Sequence, residues 1–146
     1  MNDLNTFQKL YQVREQELDD ARSNYNRAVD HFETEANKLY ELLKSKEGLE
    51  KQLDNQMTSG IKVDWMTSYY NYFNLIQDQE SDLQKKVHQA RLNMYKKQDA
   101  VQAAHQELKK INKIIDNKKE KQNQLNKQAE SEFLDEIAVQ HYSRAK

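Results

Sequence analysis

The chain has 146 residues, 36% hydrophobic and 32% charged, with 23 Lys and Arg set against 24 Asp and Glu for a formal net charge of −1. Ordinary globular domains are roughly 45–50% apolar and about 25% charged, so a broad central core is excluded and a long, thin fold is favoured. The near-neutral balance and regular apolar spacing argue against disorder, while two glycines and no cysteine exclude a glycine-rich phosphate loop, a disulfide framework and a thiolate nucleophile or metal site.

The opening segment, MNDLNTFQKLYQ, lacks the basic start and apolar run of a secretory leader, and no apolar stretch of about 18 residues occurs. A cytosolic protein without membrane insertion is expected. From Phe7 a seam recurs at alternating steps of four and three, through Tyr11, Arg14, Leu18, Ala21, Tyr25, Ala28 and Phe32, with Arg14 its one charged member. This predicts a first helix over about residues 4–58 with a narrow packing stripe. A second series, Tyr25, Val29, Phe32, Ala36, Leu39 and Leu43, suggests a change of phase near Ala28 and Val29, with local unwinding of the supercoil. Leu49, Leu53 and Met57 carry a weaker stripe, and Gly48 costs about 1 kcal/mol relative to alanine. Flexibility is expected at Ala28 and Gly48.

The break falls at TSGIKVDW, predicting a turn over about residues 59–63. Gly60 suits the left-handed residue after a helix end, and Asp64 suits the N-cap of the next helix. The second helix is expected over about residues 64–141. One seam series is Phe73, Glu80, Val87, Met94, Val101, Leu108, Ile115, Gln122 and Ala129; the other is Ile76, Leu83, Ala90, Lys97, Ala104, Ile111, Lys118 and Leu125. Thirteen of these seventeen are apolar, which a chain about one-third apolar reaches only if the stripe packs against another helix.

A connection this short requires the helices to fold back antiparallel, giving an all-α, two-helix coiled-coil hairpin in a single domain of residues 1–146. At 1.5 Å per residue the helices span roughly 80 and 115 Å. Residue i then faces about residue 123 − i, so the second helix overhangs by about 25 residues. A lone helix with a sparse apolar face is marginal in water, so the overhang is expected to fray alone and to order on a partner. The same register sets Glu15, Glu17, Asp19 and Asp20 opposite Lys109 and Lys110, and Asp30, Glu33 and Glu35 opposite Lys85, Lys86 and Arg91.

Five of the thirteen aromatic residues, Trp65, Tyr69, Tyr70, Tyr72 and Phe73, crowd just after the turn. Trp65, Tyr69, Phe73 and Ile76 share a helix face that can close the hairpin over Leu49, Leu53 and Met57. Tyr70 and Tyr72 cannot all share it, so the cluster is either packing alone or packing plus an exposed interface surface. Residues 109–127 hold seven lysines. A nucleic-acid footprint, a solvated flank and a surface for an acidic protein partner all fit, but Glu130, Glu132, Asp135 and Glu136 follow at once and disfavour nucleic acid. His31, His88, His105 and His141 lack the i, i+4 spacing of a helical zinc site. No catalytic constellation, metal or cofactor site is expected, and the chain is not read as an enzyme.

The turn M-T-S-G-I (57–61), Trp65 four residues after the isoleucine, Y-N-Y-F (70–73) and the late F-L-D-E-I-A-V-Q (133–140) together resemble the bacterial flagellar export FliJ family over essentially the whole chain. The resemblance implies the central stalk of the flagellar type III export apparatus, similar in shape to the rotor stalk of rotary ATP synthases. Such a stalk inserts into the hexameric export ATPase FliI, promotes its assembly and turnover, and contacts the export gate protein FlhA; some members also handle export chaperones. Leu42 and Phe73 match the family's gate-facing cluster, whereas Ser45, Leu49, Gln77 and Glu80 depart from it. With Trp65, Tyr69, Tyr70 and Tyr72 they form the expected gate contact. The expected ATPase contact comprises Lys118, Lys119, Lys121, Phe133, Leu134, Asp135, Glu136 and Ile137. The implied location is the cytoplasmic face of the membrane at the flagellar base, with no nucleic-acid partner. The alternative is a coiled-coil export chaperone or adaptor that binds substrates or chaperones through its aromatic tip.

Overall fold

With no proline in the chain and Gly48 the lone glycine before the turn, nothing in the backbone chemistry interrupts a helix until Gly60. The computed structural model describes residues 2–60 and 62–145, and they form two helices, α1 (Asn2–Ser59) and α2 (Val63–Ala145). The two pack against each other as an antiparallel hairpin, as the repeat predicts. Both are longer than expected at their ends, and the stretch predicted to fray is helical to Ala145.

The turn is correspondingly tighter. The hydroxyls of Thr58 and Ser59 both donate to the carbonyl of Asn55, at 2.7 and 2.8 Å, so both side chains bond back onto the last turn of α1. Gly60 then takes a φ of 90°, a conformation that costs any side-chain-bearing residue about 1 kcal/mol or more. Ile61 lies outside the described residues. Asp64 is not the N-cap: α2 begins at Val63, and the first backbone bond runs from the Met66 amide to the Lys62 carbonyl at 3.1 Å. Asp64 instead sits in the first turn, where its charge complements the helix dipole.

By packing, the chain divides into two compact units, one of Asp20–Val101 and one of Met1–Asp19 with Gln102–Lys146. In the first, Ala28, Tyr69, Ile76, Val87 and Ala90 are buried; in the second, Leu18, Ile111 and Ile115 are. No large side chain among the described residues is fully buried, because two helices have a seam but no interior. Stability therefore accumulates from many half-buried contacts.

Every position of the two α2 series from Phe73 to Lys118 is buried or half-buried, whereas Gln122, Leu125 and Ala129 are exposed. The phase change expected in α1 is absent. Buried and half-buried positions run Leu18, Ala21, Tyr25, Ala28, Phe32, Glu35, Leu39, Leu42, Lys46, Leu49, Leu53 with unbroken steps of three and four. The apparent shift arose because two seam positions are polar, Glu35 and Lys46, while apolar Val29, Ala36 and Leu43 flank the seam. Met57 is off the stripe and 62% exposed, so the seam ends at Leu53.

Gly48 lies within continuous α1, and a Cβ there would meet nothing within 4 Å. Gly48→Ala is therefore expected to stabilise the hairpin by about 0.5–1 kcal/mol, read as a raised midpoint in urea unfolding with an unchanged slope.

Candidate interaction surfaces

In the unit that contains the turn, the aromatic side chains sort by face. Trp65, Tyr69 and Phe73 stack in sequence, with ring centroids 5.6 and 5.7 Å apart and interplanar angles of 19° and 15°. Tyr69 is the buried centre of that stack, and Tyr70 meets it edge-on at 6.0 Å. Each such ring pair contributes about 0.5–1.5 kcal/mol beyond area burial. Leu42, Trp65 and Phe73 are half-buried seam residues. Tyr70 and Tyr72 are 55% and 54% exposed and present the tip's accessible aromatic surface. Of the six residues expected to form the tip contact, these two are exposed and the other four are buried or half-buried.

A polar pair that sequence reasoning missed crosses the seam beside the stack. Lys46 Nζ lies 2.9 Å from Glu80 Oε2 and 5.6 Å from the centre of the Phe73 ring. Both side chains are mostly covered, at 23% and 17% exposure. Glu80 is thereby matched on α1. The signal was present: stepping seven residues from Leu39 reaches Lys46 and then Leu53. The hydrogen bond to Glu80 raises the Lys46 ammonium above its usual 10.5 against an opposing effect of burial, and the charges of Glu80 and Glu50 add smaller contributions in the same direction. Tyr69 is raised above 10.0, chiefly by burial and then by Glu50 and Asp54. Both groups hold their protons more tightly folded than unfolded, so their contribution is complete below about pH 10 and is lost as pH rises through the folded values. Thermal melts between about pH 9 and pH 11 should show the midpoint falling at the alkaline end. Glu80→Gln, which leaves Lys46 without its counter-charge, should reduce the fall.

The other charge pairs only partly follow the expected register. Glu35 bonds Lys38 on its own helix at 3.3 Å, with its second carboxylate oxygen buried and without a hydrogen-bond partner. Lys110 pairs with Glu107 at 3.2 Å, and Arg91 lies over the Phe32 ring at 5.5 Å. The cross-helix contacts 46–80, 32–91 and 3–118 fall within about three residues of the expected pairing.

In the unit formed by the chain ends, Lys118 closes the seam. Its ammonium sits 5.2 Å from the Phe7 ring centre and 4.0 Å from Asp3. It is committed to α1, unlike Lys119 and Lys121, which are exposed. All of residues 121–145 are exposed, including Phe133 and Leu134 at 62% each and Ile137 at 45%. Asp135 and Glu136 share that stretch. Among the described residues no group of three or more His, Cys, Asp or Glu is gathered to hold a metal, and no helix is long and apolar enough to cross a membrane.

The profile of the family described as "Flagellar FliJ protein" matches residues 3–146, both helices and the turn together. The chain belongs to the flagellar FliJ family. A "Flagellar FliJ protein" of Bacillus subtilis (strain 168) is 32% identical over 140 residues, covering 93% of this chain and 92% of the relative. No solved structure matches the chain. Membership of the FliJ family makes this a flagellar export component, with partners in the flagellar export apparatus.

Proposed function

We propose that this FliJ-family chain is the central stalk of the flagellar type III export apparatus, binding the export ATPase FliI through the distal part of α2 and the export gate protein FlhA through the tip. One observation carries the reading: beyond Lys118 the helix continues to Ala145 with every residue from 121 to 145 exposed, a length of helix that α1 does not cover. Phe133, Leu134 and Ile137 are suited to act as apolar anchors in the ATPase, with Asp135 and Glu136 beside them. Lys119 and Lys121 supply exposed cations for acidic loops, and Lys118 contributes less because it is held by Asp3 and Phe7. Exposed ionic contacts are individually worth about 0–1 kcal/mol and are screened by salt, which suits a ring that grips a stalk without locking it. At the tip, Tyr70 and Tyr72 are the direct gate contacts, while Leu42, Trp65, Tyr69 and Phe73 hold the surface in shape. The proposed location is the cytoplasmic face of the membrane at the flagellar base, with export chaperones as further partners.

Adding the protein to its cognate export ATPase should increase both ring assembly and ATP hydrolysis, measured by sedimentation and phosphate release. An unchanged hydrolysis rate under conditions where the ring forms would overturn the stalk reading. The chaperone or adaptor reading is separated by Tyr70→Ser with Tyr72→Ser, which alters exposed side chains: loss of cargo binding with no other defect favours the adaptor. Retained ATPase stimulation with lost gate binding favours the stalk.

A further inference from the structure

Near the turn, each helix carries one charged seam residue between two apolar ones at steps of seven: Leu39, Lys46 and Leu53 on α1, and Phe73, Glu80 and Val87 on α2. The apolar members are nearly indifferent to a slide of α2 by one heptad, because such a step exchanges each seam residue for the next of the same kind. The charged members are not. Lys46 Nζ reaches Glu80 Oε2 at 2.9 Å with both side chains mostly covered, and the same ammonium lies over the Phe73 ring.

Sliding α2 one way takes Glu80 from Lys46 to Leu39, one turn from Glu35, whose second carboxylate oxygen is already buried without a hydrogen-bond partner. Sliding it the other way takes Glu80 to Leu53, with Glu50 and Asp54 alongside, and takes Lys46 to Val87, beside Lys86. Either slip deprives two covered charges of their partner and brings like charges together, and a covered charge left alone costs more than the intact pair contributes. We propose that the Lys46–Glu80 pair fixes the register of α1 on α2 within the unit Asp20–Val101, where the apolar seam alone permits sliding. The pair supplies specificity more than stability, the use for which a charged residue in a coiled-coil seam is best suited.

The chain has no cysteine, so engineered thiol pairs read the register without background. His31, Lys86 and Asn93 line one groove between the helices. Ala100 and Gln79 lie one heptad beyond Asn93 and Lys86, about 10 Å along the helix at 1.5 Å per residue. His31, Asn93, Ala100 and Gln79 are all exposed. Under mild oxidation of dilute protein, His31→Cys with Asn93→Cys should close within the chain, seen as a shifted band on a non-reducing gel. His31→Cys with Ala100→Cys, or with Gln79→Cys, should close at least about tenfold more slowly, because thiols that far apart cannot be bridged without backbone movement. Lys46→Leu with Glu80→Leu should keep the helix content and thermal midpoint, yet let all three thiol pairs close at comparable rates. Lys46→Glu alone should also admit the two distant pairs, and adding Glu80→Lys should restore closure of the near pair alone. Circular dichroism checks the helices of every variant; if the double-leucine chain loses them, the reversal and exchange of charge decide alone. Distant pairs that close readily with both charges in place, a near pair that remains the sole one to close once the charges are removed or reversed, or an exchange that fails to restore the pattern would each overturn the proposal. No partner protein is present in the measurement, so its outcome is independent of the stalk reading.

Discussion

Removing residues 128–146 is expected to leave the hairpin's thermal midpoint within about 2 °C of the full chain while abolishing most of its stimulation of the export ATPase. The two effects separate because the deleted residues contribute nothing to the seam: its last member on α2 is Lys118, and everything from 121 to 145 is exposed. Function is affected because Phe133, Leu134 and Ile137 are the exposed apolar anchors of the proposed ATPase contact. Loss of all three anchors costs at least about 2–4 kcal/mol of binding, so the concentration for half-maximal stimulation should rise at least about tenfold. Titrating the truncated and full-length chains against the ATPase, with circular dichroism melts of both, checks the pair of outcomes. A truncated chain that stimulates as well as the full chain would remove the distal helix from the mechanism. A large fall in midpoint would mean that this stretch packs on the hairpin in solution.

Ile76→Ala should have the opposite profile, a large loss of stability with the distal stretch untouched. Ile76 is 3% exposed, one turn beyond the Trp65–Tyr69–Phe73 stack. Truncating a buried isoleucine to alanine costs about 2–5 kcal/mol, and the lower half of that range applies here because a two-helix seam can partly collapse into the space. A midpoint about 6–10 °C lower is expected. Ile114→Ala, at a position 36% exposed, should cost less than about 1 kcal/mol and serves as the control. The proposed gate surface should suffer with Ile76, since Tyr70 and Tyr72 are positioned by the helix turn this residue anchors. Binding to the gate protein should therefore weaken as temperature approaches the lowered midpoint, whereas ATPase stimulation at low temperature should persist.

For the same reason, alanine at Leu42 or Phe73 is an ambiguous probe of gate contact. Both are half-buried in the seam, and Phe73 also stacks on Tyr69 and underlies Lys46. A loss of binding there reports folding as much as recognition. Tyr72 carries no such burden, and Tyr70 carries only its edge-on contact with Tyr69.

What the sequence determined by itself was the periodic part of the protein. Steps of three and four from Phe73 to Lys118 leave one narrow apolar face, and a stripe that narrow is satisfied by a second helix; in a chain without proline, Gly60, where the periodic pattern lapses, marks where that helix turns back. The family motifs were legible for the same local reason, since turn and terminal signatures are short runs of neighbours. The partner helix decided the rest. Glu35 and Lys46 looked like breaks in the repeat until α1 proved to keep its phase through them, because a charged side chain can hold a seam position when its head reaches a counter-charge or the rim. Lys46 and Glu80 are 34 residues apart in sequence and 2.9 Å apart in space, a relation that only the antiparallel register creates. Tyr69 and Tyr70 are chemically identical neighbours, yet one is buried and the other 55% exposed, because adjacent residues on a helix point about 100° apart and α1 covers one direction. The end of α1 likewise set where the seam stops: Leu125 reaches only the first residues of α1, Asp3 and Leu4, and Ala129 continues the repeat in sequence but stays exposed.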